Sequence, residues 1–158
     1  MNSHHTVAIG TWEGDKQQSI EYNSSIAVGI DCPRAKLRVS ILLDTIQEYQ
    51  VRYIFSDEEI SEAVNEAGVI IGARGIAYEG VLQRKPVIVV GEYGFGGLVT
   101  PDTLHEQYNN YFRGKINGIK AEYFSLERLE EEIRRGFALT FQELQMMSNQ
   151  TIRFLHNI

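Results

Sequence analysis

Residues Val69–Gly97 read VIIGARGIAYEGVLQRKPVIVVGEYGFGG. An apolar run, Val69-Ile70-Ile71, ends at Gly72 and gives way to the short turn Gly72-Ala73-Arg74-Gly75. A brief helical segment carrying Glu79 follows, and Pro86 opens a second apolar run from Val87 to Val90. That run closes on a segment with glycines at positions 91, 94, 96 and 97. Strand, tight turn, helix and strand in this order make a βαβ unit. Units of this kind bind ligands at the carboxyl ends of their strands, where both glycine clusters fall.

Upstream, Val7-Ala8-Ile9 reads as a short buried strand ending at Gly10, Gln17 to Ser24 as a short helix, and Ile26 to Ile30 as a second strand. Pro33 suits the first turn of a helix reaching about Tyr49. Leu37, Val39, Ile41 and Leu43 also alternate with period two, and the length of the segment decides for the helix. Val51 to Phe55 is a third strand. Ser56 and Glu59 have capping-box spacing, and Ile60, Ala63, Val64 and Ala67 then mark one helical face.

Downstream, Thr100-Pro101-Asp102 reads as N-cap, first-turn proline and acid, with Leu104, Tyr108, Tyr111 and Phe112 as the apolar side of the helix. Asn117-Gly118 marks a turn. Ser125 caps a further helix, and Leu126, Leu129, Ile133, Phe137, Phe141 and Leu144 stay on one face, with a break expected near Gly136. Strands alternating with helices predict an α/β domain. The expected architecture is doubly wound and Rossmann-like, with a mainly parallel sheet of about six strands and C-terminal helices. Residues 6–158 form this single domain, and residues 1–5 are either an expression-tag remnant or the natural terminus.

The chain has 158 residues, 43% hydrophobic and 23% charged, the proportions of an ordinary globular domain. A formal net charge of -6 gives no global attraction to nucleic acid or to an anionic membrane, though a local basic pocket for a phosphate is compatible with it. The single cysteine, Cys32, precludes an internal disulfide and a multi-cysteine metal site, which fits a reducing, cytoplasmic setting. No apolar run approaches the roughly 20 residues of a membrane span, and the polar Met1-Asn2-Ser3-His4-His5 is no signal-peptide core. Neither a metal nor a cofactor is expected.

Two junctions carry candidate chemistry. Gly10-Thr11-Trp12-Glu13-Gly14-Asp15-Lys16 sits at an expected strand-to-helix junction, where Gly10 would let backbone approach a ligand and Lys16 would neutralise phosphate. A plain surface turn with a solvated lysine is the alternative. At Gly72-Ala73-Arg74-Gly75 the helix start favours an anion, and Arg74 offers a planar fork for phosphate or carboxylate. The alternative there is a glycine turn with Arg74 in a structural salt bridge. Glu79 has the placement of a carboxylate that accepts ribose hydroxyls, or else of an exposed helix glutamate. Gly94, Gly96 and Gly97 read either as a loop cradling phosphate or sugar, or as a flexible connection. The dinucleotide fingerprint, the P-loop and the hydrolase nucleophile elbow are all absent from the sequence.

Taken together these residues resemble the carboxyl-terminal, donor-binding half of GT-B glycosyltransferases, in the order of features from about residue 6 to the end. The family opens this half with a strand and a Gly-Arg-Leu-x-x-x-Lys pattern. Gly10, Trp12 and Lys16 keep three of its positions, and Thr11 stands where arginine is expected. Tyr78 to Ile88 matches the family's helix that ends Glu-Ala-Met-Ala-x-Gly-x-Pro-Val-Ile, which puts Glu79 on the ribose-binding glutamate. Retaining members carry another glutamate eight positions earlier, where this chain has Ile71. The resemblance implies a nucleotide-sugar partner, with Lys16, Gly72, Arg74 and Gly75 at the diphosphate and the loop around Gly96 facing the sugar. It also implies that the acceptor and the usual base belong to an amino-terminal half lying outside these residues. The chain is then a fragment of a longer enzyme, or a single domain with another role. A sugar-nucleotide epimerase of the same fold and a non-catalytic binding module stay open beside the transferase.

Overall fold

The computed structural model describes residues 4–13, 16–115 and 118–156, with side chains from Asn23 onward. Two strands open the chain, β1 (His4–Glu13) and β2 (Lys16–Asn23), paired antiparallel as a separate two-stranded sheet. The helix expected over Gln17–Ser24 is therefore a strand, and Gly10 lies inside β1 instead of at a strand-to-helix junction. The register places Glu13 opposite Lys16 and Val7 opposite Ile20. The physical cause is legible after the fact. Gly14-Asp15 is a two-residue spacer of a composition that hairpins use, and the β-formers Ile20 and Tyr22 outweigh any helical period.

The main sheet has five strands instead of about six: β3 (Ser25–Gly29), β4 (Gln50–Tyr53), β5 (Val69–Gly72), β6 (Val87–Gly91) and β7 (Gly94–Leu98), in spatial order β4-β3-β5-β6-β7. The first four are parallel, and β7 returns antiparallel to β6. Side chains alternate between the two faces of a strand, and both faces here are covered. Ile26, Val28, Val69, Ile71, Ile88 and Val90 pack against helices α1 (Pro33–Thr45) and α5 (Leu126–Ala138). Ala27, Ile70, Val87 and Val89 pack on the other side. Their partners come from α2 (Ile60–Glu66), α3 (Gly75–Leu82), α4 (Leu104–Asn109) and α6 (Phe141–His156). Ile26, Ile70, Ile71 and Ile88 are fully buried, each contributing on the order of 1.5–3 kcal/mol of apolar transfer energy.

The helical reading of Pro33 onward holds. Ala35, Val39, Leu42 and Leu43 are buried at helical spacing, while Leu37 and Ile41 face outward and break the period-two alternative. Ser56 precedes a single 3-10 turn, Asp57–Glu59, before α2. The Glu59 carboxylate reaches back to accept from the Phe55 N–H at 3.2 Å, so half of the expected capping box forms one residue early. Thr100 does bind the Thr103 N–H through its hydroxyl, but the helix proper starts at Leu104. Ser125 caps α5 by accepting from the Arg128 N–H at 3.1 Å. The break expected near Gly136 falls at Leu139-Thr140. There Thr140 and Glu143 form a reciprocal capping box that starts α6. Asn117 lies outside the described residues.

Candidate functional site

The chain leaves β3 toward α1 on one face and β5 toward α3 on the other. A crevice opens where neighbouring strands part in this way, at their carboxyl ends. Gly29 and Gly72 are register partners at that point. A Cβ on Gly72 would run into the Gly29 carbonyl and stand 2.6 Å from Ile76 Cγ2, so only glycine lets the first turn of α3 sit this close over both strands. The result is a cavity of about 580 Å³, whose lining includes Asp31, Phe55, Ser56, Arg74, Gly75 and Glu79. A second hollow of about 280 Å³ shares Asp31, Ala73 and Arg74 with it and continues to Gly91 and Glu92.

Arg74 is the hinge of this arrangement. It occupies the position before α3 with φ 60 and ψ -125, a left-handed backbone that L side chains rarely adopt. Its N–H donates to the Phe112 carbonyl at 2.9 Å, and its carbonyl accepts from Tyr78 at 2.9 Å, so the turn is held from both sides. The side chain is exposed and makes no ion pair among the described residues. The amides of Gly75 and Ile76 belong to the first helical turn, whose N–H groups have no carbonyl partner within the helix. A cation and free amides thus meet at one helix start, a combination that suits an anion.

Glu79 is half-buried one turn further along α3. Gln83 donates to its Oε2 at 2.8 Å and also to the Ser61 carbonyl at 3.2 Å, which fixes the carboxylate against α2. One carboxylate oxygen stays available to accept hydroxyl hydrogens from a ligand in the cavity. Asp31 and Asp57 line the same space, so it presents three carboxylates and the single guanidinium of Arg74.

The structure brings Gly72, Arg74, Gly75 and Glu79 together, as the sequence suggested. Gly10 and Lys16 belong to the hairpin, and the Lys16 side chain lies outside the described residues. Gly94, Gly96 and Gly97 form β7 and line neither hollow, so the segment expected as a loop is a strand. Gly96 borders a separate space of about 60 Å³ beside Gln107 and Lys115. These glycines answer packing demands. Buried Gln107 donates to the carbonyls of Gly96 and Gly97, and buried Glu132 accepts from the Leu98 N–H at 2.9 Å. Gly97 has φ +77, and a Cβ there would stand 2.6 Å from the Glu132 carboxylate.

Sequence reasoning missed Phe55 and Lys36. Phe55 is 77% exposed on the wall of the larger cavity, and the Lys36 ammonium sits 4.2 Å from its ring centroid. A large apolar residue just past the end of a strand, followed at once by polar Ser56-Asp57-Glu58, was the available signal. Lys85 is a structural cation. It donates to the carbonyls of Asn65 and Ala67 at the end of α2, and burial pulls its pKa below the ordinary lysine value. Beneath the Arg74 turn, Tyr78 packs edge-on against Phe112 at 4.8 Å. Burial, and to a lesser degree the neighbouring Tyr108 and Tyr111, push its pKa up. No group of three or more His, Cys, Asp or Glu among the described residues is placed to hold a metal ion, and no helix there is long and apolar enough to cross a membrane. No protein-family model, curated protein or solved structure gives a significant match to this chain.

Proposed function

We propose that the crevice above β3 and β5 binds a nucleotide sugar, and that the domain is the donor-binding part of a glycosyltransferase. The observation that carries this reading is the convergence of Arg74, the first amides of α3 and the Gln83-anchored Glu79 on one cavity. Glu79 would accept the ribose hydroxyls. Arg74 and the amides of Gly75 and Ile76 would hold the diphosphate and stabilise it as a leaving group. Phe55 would stack on the base, with Lys36 adding a second cation at that wall. The reversal of strand progression at β3, with helices on both faces, supports the doubly wound, Rossmann-like reading of the sheet.

Ile71 is fully buried in β5, so the position where retaining members of the family carry a glutamate faces the core. A carboxylate there would be desolvated without a partner. Contact with the sugar must come from other residues.

Titration calorimetry with UDP, GDP and their sugars tests the assignment. Binding of at least one of them, weakened by Glu79→Ala, is the expected result. A folded protein that binds none at millimolar concentration refutes it. One observation favours a second reading, a module for an uncharged polyol or nucleoside: the three carboxylates of the cavity outnumber its one guanidinium. Tighter binding of the nucleoside than of its diphosphate would select that reading.

A further inference from the structure

The smaller hollow continues past Arg74 to Gly91 and Glu92, and beyond it lies a group of side chains that the proposed nucleotide contacts do not use. Tyr93 and Tyr111 are 40% and 60% exposed. Arg113 stands between them, its guanidinium carbon 5.8 Å from the Tyr93 ring centroid and 5.4 Å from that of Tyr111. Arg113 Nη1 donates to the Tyr93 hydroxyl at 3.2 Å, and its Nε lies 3.2 Å from Glu92 Oε1. The charge of Arg113 is therefore neutralised locally.

The backbone goes to some expense to present this group. Tyr111 and Phe112 have φ 57 and 52, two adjacent non-glycine residues in the left-handed region. Strained backbone persists where the surroundings over-determine it, and it gathers at ligand sites. The surroundings here are explicit. Phe112 is fully buried among Tyr78 and Tyr108, and the Arg113 carbonyl accepts from the Tyr93 N–H at 2.9 Å. The same turn supplies the Phe112 carbonyl that holds the Arg74 amide. The two tyrosines are thus fixed relative to Arg74.

The residues follow a linear order: Phe55 and Glu79 in the larger cavity, Arg74 at the junction, then Glu92 and the paired tyrosines. A nucleotide sugar has the same order of base, ribose, diphosphate and glycosyl ring. Resting on the nucleotide-sugar reading, we infer that Tyr93, Tyr111 and Arg113 form a platform for the glycosyl ring of the donor, and that it selects a neutral sugar. Tyrosine faces suit the apolar face of a sugar ring. Asp31 lines the hollow as an acceptor for sugar hydroxyls and would repel a carboxylate-bearing sugar, while Arg113 is already paired with Glu92.

The test uses the full chain in two arms. In the first, affinities for a nucleoside diphosphate and for its neutral and uronate sugars are measured by calorimetry. Tyr93→Ala and Tyr111→Ala should each weaken the neutral nucleotide sugar about 2- to 12-fold and leave the diphosphate unchanged. Tyr111→Phe, which keeps the ring, should retain affinity, and the uronate sugar should bind no better than the diphosphate. Equal losses for diphosphate and sugar, or losses for neither, would overturn the platform, as would preference for the uronate. In the second arm, millimolar methyl hexosides are added and the ring resonances of Tyr93 and Tyr111 are followed by NMR. Shifts there in a protein that binds no nucleotide would keep the platform and reject the nucleotide reading. Unmoved rings with both the glycosides and a bound nucleotide sugar would do the reverse.

Discussion

Replacing Arg74 by glycine should make the protein more stable while removing its ligand affinity. Arg74 holds φ 60 and ψ -125, a conformation that costs an L residue on the order of 1–3 kcal/mol and costs glycine almost nothing. The proper reference is Arg74→Ala, which loses the same exposed side chain and keeps the strain. Against the relief stands the larger entropy of glycine in the unfolded chain, about 0.5–1 kcal/mol. The glycine variant should then exceed the alanine variant by about 0.5–2 kcal/mol. For a domain of this size that corresponds to about 1–8 °C in Tm. Urea denaturation of both variants, followed by circular dichroism and fitted with a common slope, measures the difference directly. Calorimetry on the same samples should show nucleotide binding lost in both. A glycine variant equal to or less stable than the alanine variant would mean that the turn stores no strain, and the functional weight placed on Arg74 would go with it.

Glu79→Ala should weaken nucleotide binding by about 1–3 kcal/mol, read by calorimetry, and an unchanged dissociation constant would return Glu79 to the role of a helix-surface residue. Gly97→Ala should destabilise the fold by about 1–3 kcal/mol, because its Cβ would press on the buried Glu132 carboxylate; a neutral outcome in urea unfolding would show that Glu132 yields freely. Stability should fall in alkali. Tyr49 and Tyr78 both have pKa values raised, chiefly by burial, so the unfolded phenols ionise first. Their contribution is complete below about pH 10 and is lost as pH climbs through the raised native values. Tyr78→Phe should make that decline shallower in pH-dependent melts, and an unchanged profile would count against the assignment. Lys85 has the opposite sign. Its lowered native pKa means the unfolded chain holds the proton longer, so stability rises with pH between that value and about 10.4, a rise that Lys85→Met should abolish.

The βαβ unit was readable from sequence because two β-branched runs, Val69-Ile70-Ile71 and Val87 to Val90, are bounded by glycine and proline. Nothing else suits such runs as well as strands buried on both faces. Arg74 and Glu79 could be placed because the strand end and the helix start lie only a few residues apart. β7 was hidden. Gly94-Phe95-Gly96-Gly97 has almost no side chains to alternate, and its extended form rests on pairing with β6 and on Gln107 and Glu132, which come from two helices further along the chain. The opening hairpin was hidden because Gln17 to Ser24 is mostly polar, with only Ile20 and Tyr22 to mark a strand. Phe55 escaped because exposure of a single aromatic residue is a tertiary fact. The conformation of Arg74 was equally invisible, since the Phe112 carbonyl that fixes it lies 38 residues away (112 − 74).

One set of bonds gives the glycine-rich strand a different significance. The Gln107 side chain clasps the carbonyls of Gly96 and Gly97, the Gln107 carbonyl accepts from the Phe112 N–H at 2.8 Å, and the Phe112 carbonyl grips the Arg74 amide. β7 is thereby the footing of a strut that ends under the guanidinium-bearing turn, although no part of the strand borders the crevice. Evolutionary drift at Gln107 would be felt as a misaimed arginine and not as a missing contact. A residue of this kind tunes ligand preference from behind the wall, through the orientation of a group it never lets the ligand see.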